Sequence, residues 1–181
     1  MRVFDANWMQ IEEYLTRDDR IVLPTGSTEQ HGYLSLGTDA ILAERVAVEA
    51  AVNGHGGTRR SPGFLREWAC QPRPQRVRVL FHSWYNAPQT VAAADRFDRD
   101  QMHGGWVENF PWTRVAGAEL PSDPAPIVQP RIGGLNPAEV RAAAPDGVLG
   151  GAYARADEDM QAVWAAGVAE VRALLEEGWI R

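Results

Sequence analysis

Glu29, His31 and Asp39 share one glycine-bracketed segment, Leu23-Pro24-Thr25-Gly26-Ser27-Thr28-Glu29-Gln30-His31-Gly32-Tyr33-Leu34-Ser35-Leu36-Gly37-Thr38-Asp39. It follows a short apolar triplet and leads into an alanine-rich stretch. Two carboxylates and an imidazole are oxygen and nitrogen donors suited to Zn, Mn, Fe or Co. In an extended segment residues i and i+2 point the same way, so Glu29 and His31 reach one space. Gly26, Gly32 and Gly37 permit positive φ and close approach of backbone to an ion. Asp39 reads two ways, as a bridge between cations or as the N-cap of the next helix.

Two further clusters carry chemistry. His55 lies in Asn53-Gly54-His55-Gly56-Gly57, where little side-chain packing surrounds it; it is a ligand or a solvent-exposed histidine. His103 and Glu108 lie in His103-Gly104-Gly105-Trp106-Val107-Glu108. Five residues is an imperfect same-face spacing on a helix, and Gly104-Gly105 and Pro111 argue against a regular helix there. His82 is a strand-end residue or a group behind the ligands. Ser27, Ser35 and Ser83 lack the Gly-x-Ser-x-Gly of a nucleophile elbow. Gly133-Gly134-Leu135 and Gly147–Gly151 lack a phosphate loop's lysine and read as turns.

The chain has 181 residues, enough for one domain with a sizeable core. A net charge of −6 with no basic stretch argues against nonspecific nucleic-acid binding. The single cysteine, Cys70, reads as a small buried side chain and cannot close an internal disulfide. A reducing, cytoplasmic compartment is therefore expected. No signal-peptide core stands at the N-terminus, and no apolar run approaches the roughly 20 residues of a membrane span.

Asn7 is placed to cap a helix bearing Trp8, Ile11, Tyr14 and Leu15 on one face. Ile21-Val22-Leu23 reads as a buried strand. A helix follows Asp39 through Ala51, and Val77–Phe81 is the clearest strand. Residues 83–100 read as irregular or weakly helical. The last helix starts at Asp157-Glu158-Asp159, which suit its positive end. It continues with a stripe of Met160, Val163, Trp164, Val168, Val171, Leu174 and Leu175, and Gly178 is its stop. Alternating strands and helices predict an α/β domain with a mostly parallel sheet, whose ligands bind beyond the strands' carboxyl ends.

These motifs, in this order, resemble the creatininase (creatinine amidohydrolase) family. The matching pieces are Leu-Pro-x-Gly-Ser-x-Glu-Gln-His-Gly with Gly-Thr-Asp at 23–39, Asn-Gly-His-Gly-Gly at 53–57, and His-Gly-Gly-x-x-Glu at 103–108. The resemblance implies a three-layer α/β/α domain and a centre of two divalent ions. It implies hydrolysis of a C–N bond in a small, often cyclic amide, and often a homo-oligomer. Carried over, Glu29, His31, Asp39 and His55 are metal ligands, with Asp39 as the bridge. Some members carry a carboxylate where Gly57 stands, and Glu108 looks like its replacement. His103 resembles the residue that carries a proton to the leaving nitrogen. Trp84 or Trp106 would wall the pocket or fill the core.

One departure stands out. The family separates its Gly-Thr-Asp and Asn-Gly-His motifs by a long α/β stretch, but here only the thirteen residues 40–52 intervene. A helix and a parallel strand do not both fit in that length. Either Val48–Val52 leaves the helix to form a strand, or His55 arrives from a helix end. A strand–helix unit is missing, so a remnant without a complete dinuclear site is the alternative to an enzyme. A third reading, an interaction module, rests on the seven tryptophans.

Overall fold

The computed structural model describes residues 5–51, 82–100, 102–128 and 134–177. Helix α1 spans Trp8–Leu15, α2 Thr38–Ala51, α3 Pro88–Ala94, α4 Pro137–Ala143 and α5 Asp157–Glu177, with 3₁₀ turns at Trp84–Asn86 and Trp106–Glu108. Among the described residues β pairing consists of two isolated antiparallel bridges, Leu34 with Arg114 and Ala125 with Gly151. The expected strand Val77–Phe81, Cys70 and the Gly178 stop lie outside the described residues.

Asn7 caps α1 as its sequence requires. Its side chain accepts from the Gln10 amide at 3.1 Å, and Gln10 Oε1 accepts from the Asn7 amide at 2.9 Å. Helix α1 buries no residue, so the apolar face of Trp8, Ile11, Tyr14 and Leu15 is not part of the core. Ile21 and Leu23 are also exposed and sit in no strand, contrary to the expectation for that triplet. A strand is buried by its neighbours, and none of the described residues pairs with this one.

The core is helical. Leu42, Val46 and Ala50 repeat every four residues along α2 and share one buried face. Met160, Val163, Trp164 and Val171 supply the matching stripe on α5, with Val168 and Leu175 packed at its edge. Helix α5 packs on both α2 and α3. Gly167 lets it come close, because a Cβ there would stand 2.9 Å from the Trp84 ring. Trp84, Phe110, Trp112 and Trp164 form one aromatic cluster. Trp164 lies edge-on to Trp84 and Phe110, each at 5.2 Å, and Phe110 stacks on Trp112 at 5.2 Å.

Polar contacts finish the helix ends. Arg172 on α5 donates to the Ala50 carbonyl (3.2 Å) and the Glu49 carbonyl (3.1 Å), which the last turn of α2 leaves open. Glu170 accepts from the free amides of Gln89 (2.7 Å) and Thr90 (3.3 Å) at the start of α3, where Ala87 offers no side-chain cap. Helix α2 runs unbroken to Ala51, so Val48–Ala51 do not leave it to form a strand. None of the described helices is long and apolar enough to cross a membrane.

Candidate metal centre

The site grows from the start of α2. Asp39 is the second residue of that helix rather than its cap. Its carboxylate turns back to meet Ser27 Oγ and lies 3.1 Å from His31 Nε2. Gly26 makes the approach possible, because a Cβ there would strike the backbone of Asp39 and Ala40. Ser27 Oγ also stands 2.7 Å from Glu29 Oε1, so one hydroxyl proton serves two carboxylates.

The Glu29–Leu36 loop is closed by its own backbone. The Glu29 amide donates to the Leu36 carbonyl and the Leu34 amide to the His31 carbonyl. Ser35 donates in turn to the Thr113 carbonyl, which ties this loop to the turn after Glu108. His31 is fully buried. Its Nδ1 is 3.1 Å from the Glu29 carbonyl. A carbonyl only accepts, so Nδ1 carries a proton and donates it. That leaves Nε2 facing Asp39 Oδ1 at 3.1 Å and Glu108 Oε1 at 3.9 Å.

Gly32 and Gly104 set the second wall. Both have positive φ, at 55° and 74°. A Cβ on Gly32 would meet Val148 Cγ2 at 2.5 Å, and one on Gly104 would meet the Gly32 amide nitrogen at 3.2 Å. The two loops therefore touch backbone to backbone, which side chains would prevent. Beyond Gly104 the chain makes the 3₁₀ turn Trp106–Glu108 in place of a regular helix, in keeping with Gly104-Gly105 and Pro111. Glu108 is buried, and its Oε2 accepts from the Gly104 amide at 2.6 Å. His103 Nε2 donates to the Gln30 carbonyl at 2.9 Å, and its ring lies 4.4 Å from that of His31. Residues 147–152 brace this wall. Leu149 donates to the His103 carbonyl, and Trp106 donates to the Ala152 carbonyl. This stretch read as turns from its glycines, but Gly151 is bridged to Ala125.

Charge follows geometry. Burial pushes the His31 imidazolium down, but the Asp39 hydrogen bond and the Glu108 charge outweigh it, and its pKa is raised to about 9. The His31 bond and the Ser27 hydroxyl, against some burial, lower Asp39 to about 2. Burial raises the Glu108 pKa, and His31, His103 and the Gly104 amide partly offset that.

Two groups bring donor atoms within 4.8 Å of one another: Glu29, His31 and His103, and His31, Asp39 and Glu108. Five of the six site residues expected from the sequence thus converge. The sixth, His55, lies outside the described residues, as does the rest of its Asn-Gly-His-Gly-Gly motif. His103 joins one donor group, although the resemblance gives it only a proton-carrying role. Trp84 and Trp106 are both buried in the core cluster, the structural of the two roles open to each. Sequence reasoning missed Ser27, the Gly104 amide and the Gln30 carbonyl. The last two are backbone groups and leave no residue-type signal.

Residues 5–53 match the creatininase family model, described as creatinine amidohydrolase. The match is partial: it covers the first motif and ends before His55. The family it points to is one of hydrolases. No curated protein and no solved structure matches the chain.

Proposed function

We propose that this chain is a metal-dependent amidohydrolase acting on a small, possibly cyclic amide. The donor set fits a divalent ion on one observation. His31 donates Nδ1–H to a backbone carbonyl and turns Nε2 toward two carboxylates. Metal-binding histidines are commonly fixed this way, their second nitrogen tied to a carbonyl. A proton on Nε2 now stands where a cation would satisfy His31, Asp39 and Glu108 together.

A bound ion of this kind, Zn, Mn or Fe, would acidify water and polarise a carbonyl. Asp39 and Glu108 supply the negative charge that holds it, and His31 supplies the neutral nitrogen. Glu29 lies in the other donor group with His31 and His103, and its carboxylate would be available to a second ion. The Gln30 carbonyl holds His103 with Nε2 protonated, so in the neutral ring Nδ1 is free to take and return a proton. The partial family match and the two donor groups support this reading. The three-layer α/β/α fold with a mostly parallel sheet, and His55 as a further ligand, belong to the same proposal. Self-association does too, and the exposed Trp8, Met9 and Leu15 of α1 support it.

A second reading is favoured by the extent of the family match, which stops at residue 53. In it the chain is a remnant that binds one ion and does not hydrolyse amides. Elemental analysis of the purified protein, followed by a screen of formamides and lactams, separates the two. Two ions per chain with turnover is the expected result. One ion without turnover leaves the remnant reading standing, and no ion at all removes both.

A further inference from the structure

Three hydroxyls around the candidate centre are spent on backbone. Thr38 Oγ1 donates to the Ser35 carbonyl, Ser35 Oγ accepts from the Gly37 amide, and Thr113 Oγ1 meets the Glu108 and Phe110 carbonyls. These are local bonds of the kind that closes turns. Ser27 differs from them. Its Oγ meets two carboxylates, Asp39 Oδ2 and, at 2.7 Å, Glu29 Oε1. Its amide adds a longer bond to Asp39 Oδ2 at 3.4 Å.

Backbone contact places this serine. Gly26 lies so close to the start of α2 that a Cβ on it would stand 2.3 Å from the Ala40 nitrogen. Ser27 therefore works from a fixed base, and its side chain spans the gap between Asp39 on α2 and Glu29 on the neighbouring loop. A hydroxyl has one proton to donate, so the two carboxylates are linked through it. Each keeps its other oxygen for another partner. Asp39 Oδ1 faces His31 Nε2 at 3.1 Å, in the donor group with Glu108, and Glu29 belongs to the group with His31 and His103. Ser27 is a member of neither group, yet it touches a carboxylate of each.

We propose that Ser27 is a positioning residue of this centre, whose hydroxyl orients the Asp39 and Glu29 carboxylates so that both donor groups meet a divalent ion already shaped. This inference rests on the proposed metal-dependent function. Zinc alone is the probe, in competition with a chromophoric chelator. Ser27→Ala should bind zinc roughly 10- to 100-fold more weakly than the parent chain, the usual loss when a group that orients a metal ligand is removed. Ser27→Thr keeps the hydroxyl and should bind as the parent does. With cobalt in place of zinc, the visible spectrum reports how the donors are arranged. It should change in Ser27→Ala and keep the parent's form in Ser27→Thr. Parent-like affinity in Ser27→Ala overturns this inference alone. So does an equal loss in Ser27→Thr, which would assign the effect to space rather than to the hydroxyl. An unchanged cobalt spectrum beside weakened binding also overturns it, because the donors would then be arranged without Ser27. Ser27→Gly removes the same hydroxyl and carries the same expectations if Ser27→Ala does not fold. Should neither fold while Ser27→Thr does, the hydroxyl serves the fold and the inference fails. A parent chain that takes up no zinc overturns the proposed function and this role with it.

Discussion

The helical core and the candidate centre are built by different means. In the core, α2, α3 and α5 meet through side chains at helical spacing, and Trp84, Phe110 and Trp164 fill the space between them. At the centre, three loops meet through backbone. Glycines allow the contact, and amides and carbonyls of Glu29, Gln30 and Gly104 orient the ionisable groups. Stability is thus concentrated in one region and chemistry in the other, joined where Asp39 begins α2. The two should fail separately.

The largest effect belongs to the core. Trp164→Ala removes a buried ring that touches three others, and should cost about 3–5 kcal/mol in urea unfolding. Any fraction that stays folded should keep its full zinc content. Loss of zinc from the folded fraction would show that the two regions are not separable.

Next come two glycines at positive φ, one in the centre and one outside it. Gly104→Ala and Gly117→Ala both place a side chain at positive φ, 74° and 77°. A Cβ on Gly117 meets nothing within 4 Å, whereas one on Gly104 meets His31 and Gly32 backbone. Gly117→Ala should cost roughly 1–2 kcal/mol and leave zinc binding intact. Gly104→Ala should cost more and abolish zinc uptake. Similar behaviour of the two variants would deny that backbone contact builds the site.

Much of the core was legible in the sequence. The stripe on α5 is intrinsic to periodicity, the helix after Asp39 shows in its alanine-rich stretch, and Asn7 announces a cap. The site's ionisable residues were legible too, because two of the chain's four histidines and the carboxylates Glu29, Asp39 and Glu108 crowd among glycines. Their positioning was not. Glu170 caps α3 from 81 residues away in sequence, and the Gly104 amide reaches Glu108 only because the chain makes a 3₁₀ turn. The exposure of Trp8 and Ile21 was also hidden, since a pattern gives an apolar face but not its partner.

The pH dependence is a smaller effect and sharpens the same division. His31 has its pKa raised to about 9, so its bond to Asp39 stabilises the metal-free protein fully below the unfolded value of 6.5 and is lost as pH rises through 9. Asp39, lowered to about 2, contributes above its ordinary 3.8, and that contribution is lost as pH falls through 2. Thermal melts of metal-free protein should therefore be highest between these limits. The decline on the alkaline side should vanish in His31→Gln. An unchanged alkaline decline in that variant would place the titrating group elsewhere.

The smallest effect lies in neither region. Asn7→Ala should cost no more than about 1 kcal/mol and leave the global melt almost unmoved, because α1 buries no residue. Faster amide exchange confined to residues 8–15 is the expected sign. A global drop in stability would mean that α1 is packed more tightly than its exposed side chains show.

The most direct test of the centre is nitrogen-edited NMR of the four histidines near neutral pH, without and with zinc. A doubly protonated His31 is expected in the metal-free protein, since its pKa is raised to about 9. On zinc addition it should lose only the Nε2 proton, keep Nδ1–H on the Glu29 carbonyl, and shift at Nε2 as a ligand does. A His31 that stays doubly protonated at saturating zinc would contradict the claim that the ion replaces that proton among His31, Asp39 and Glu108.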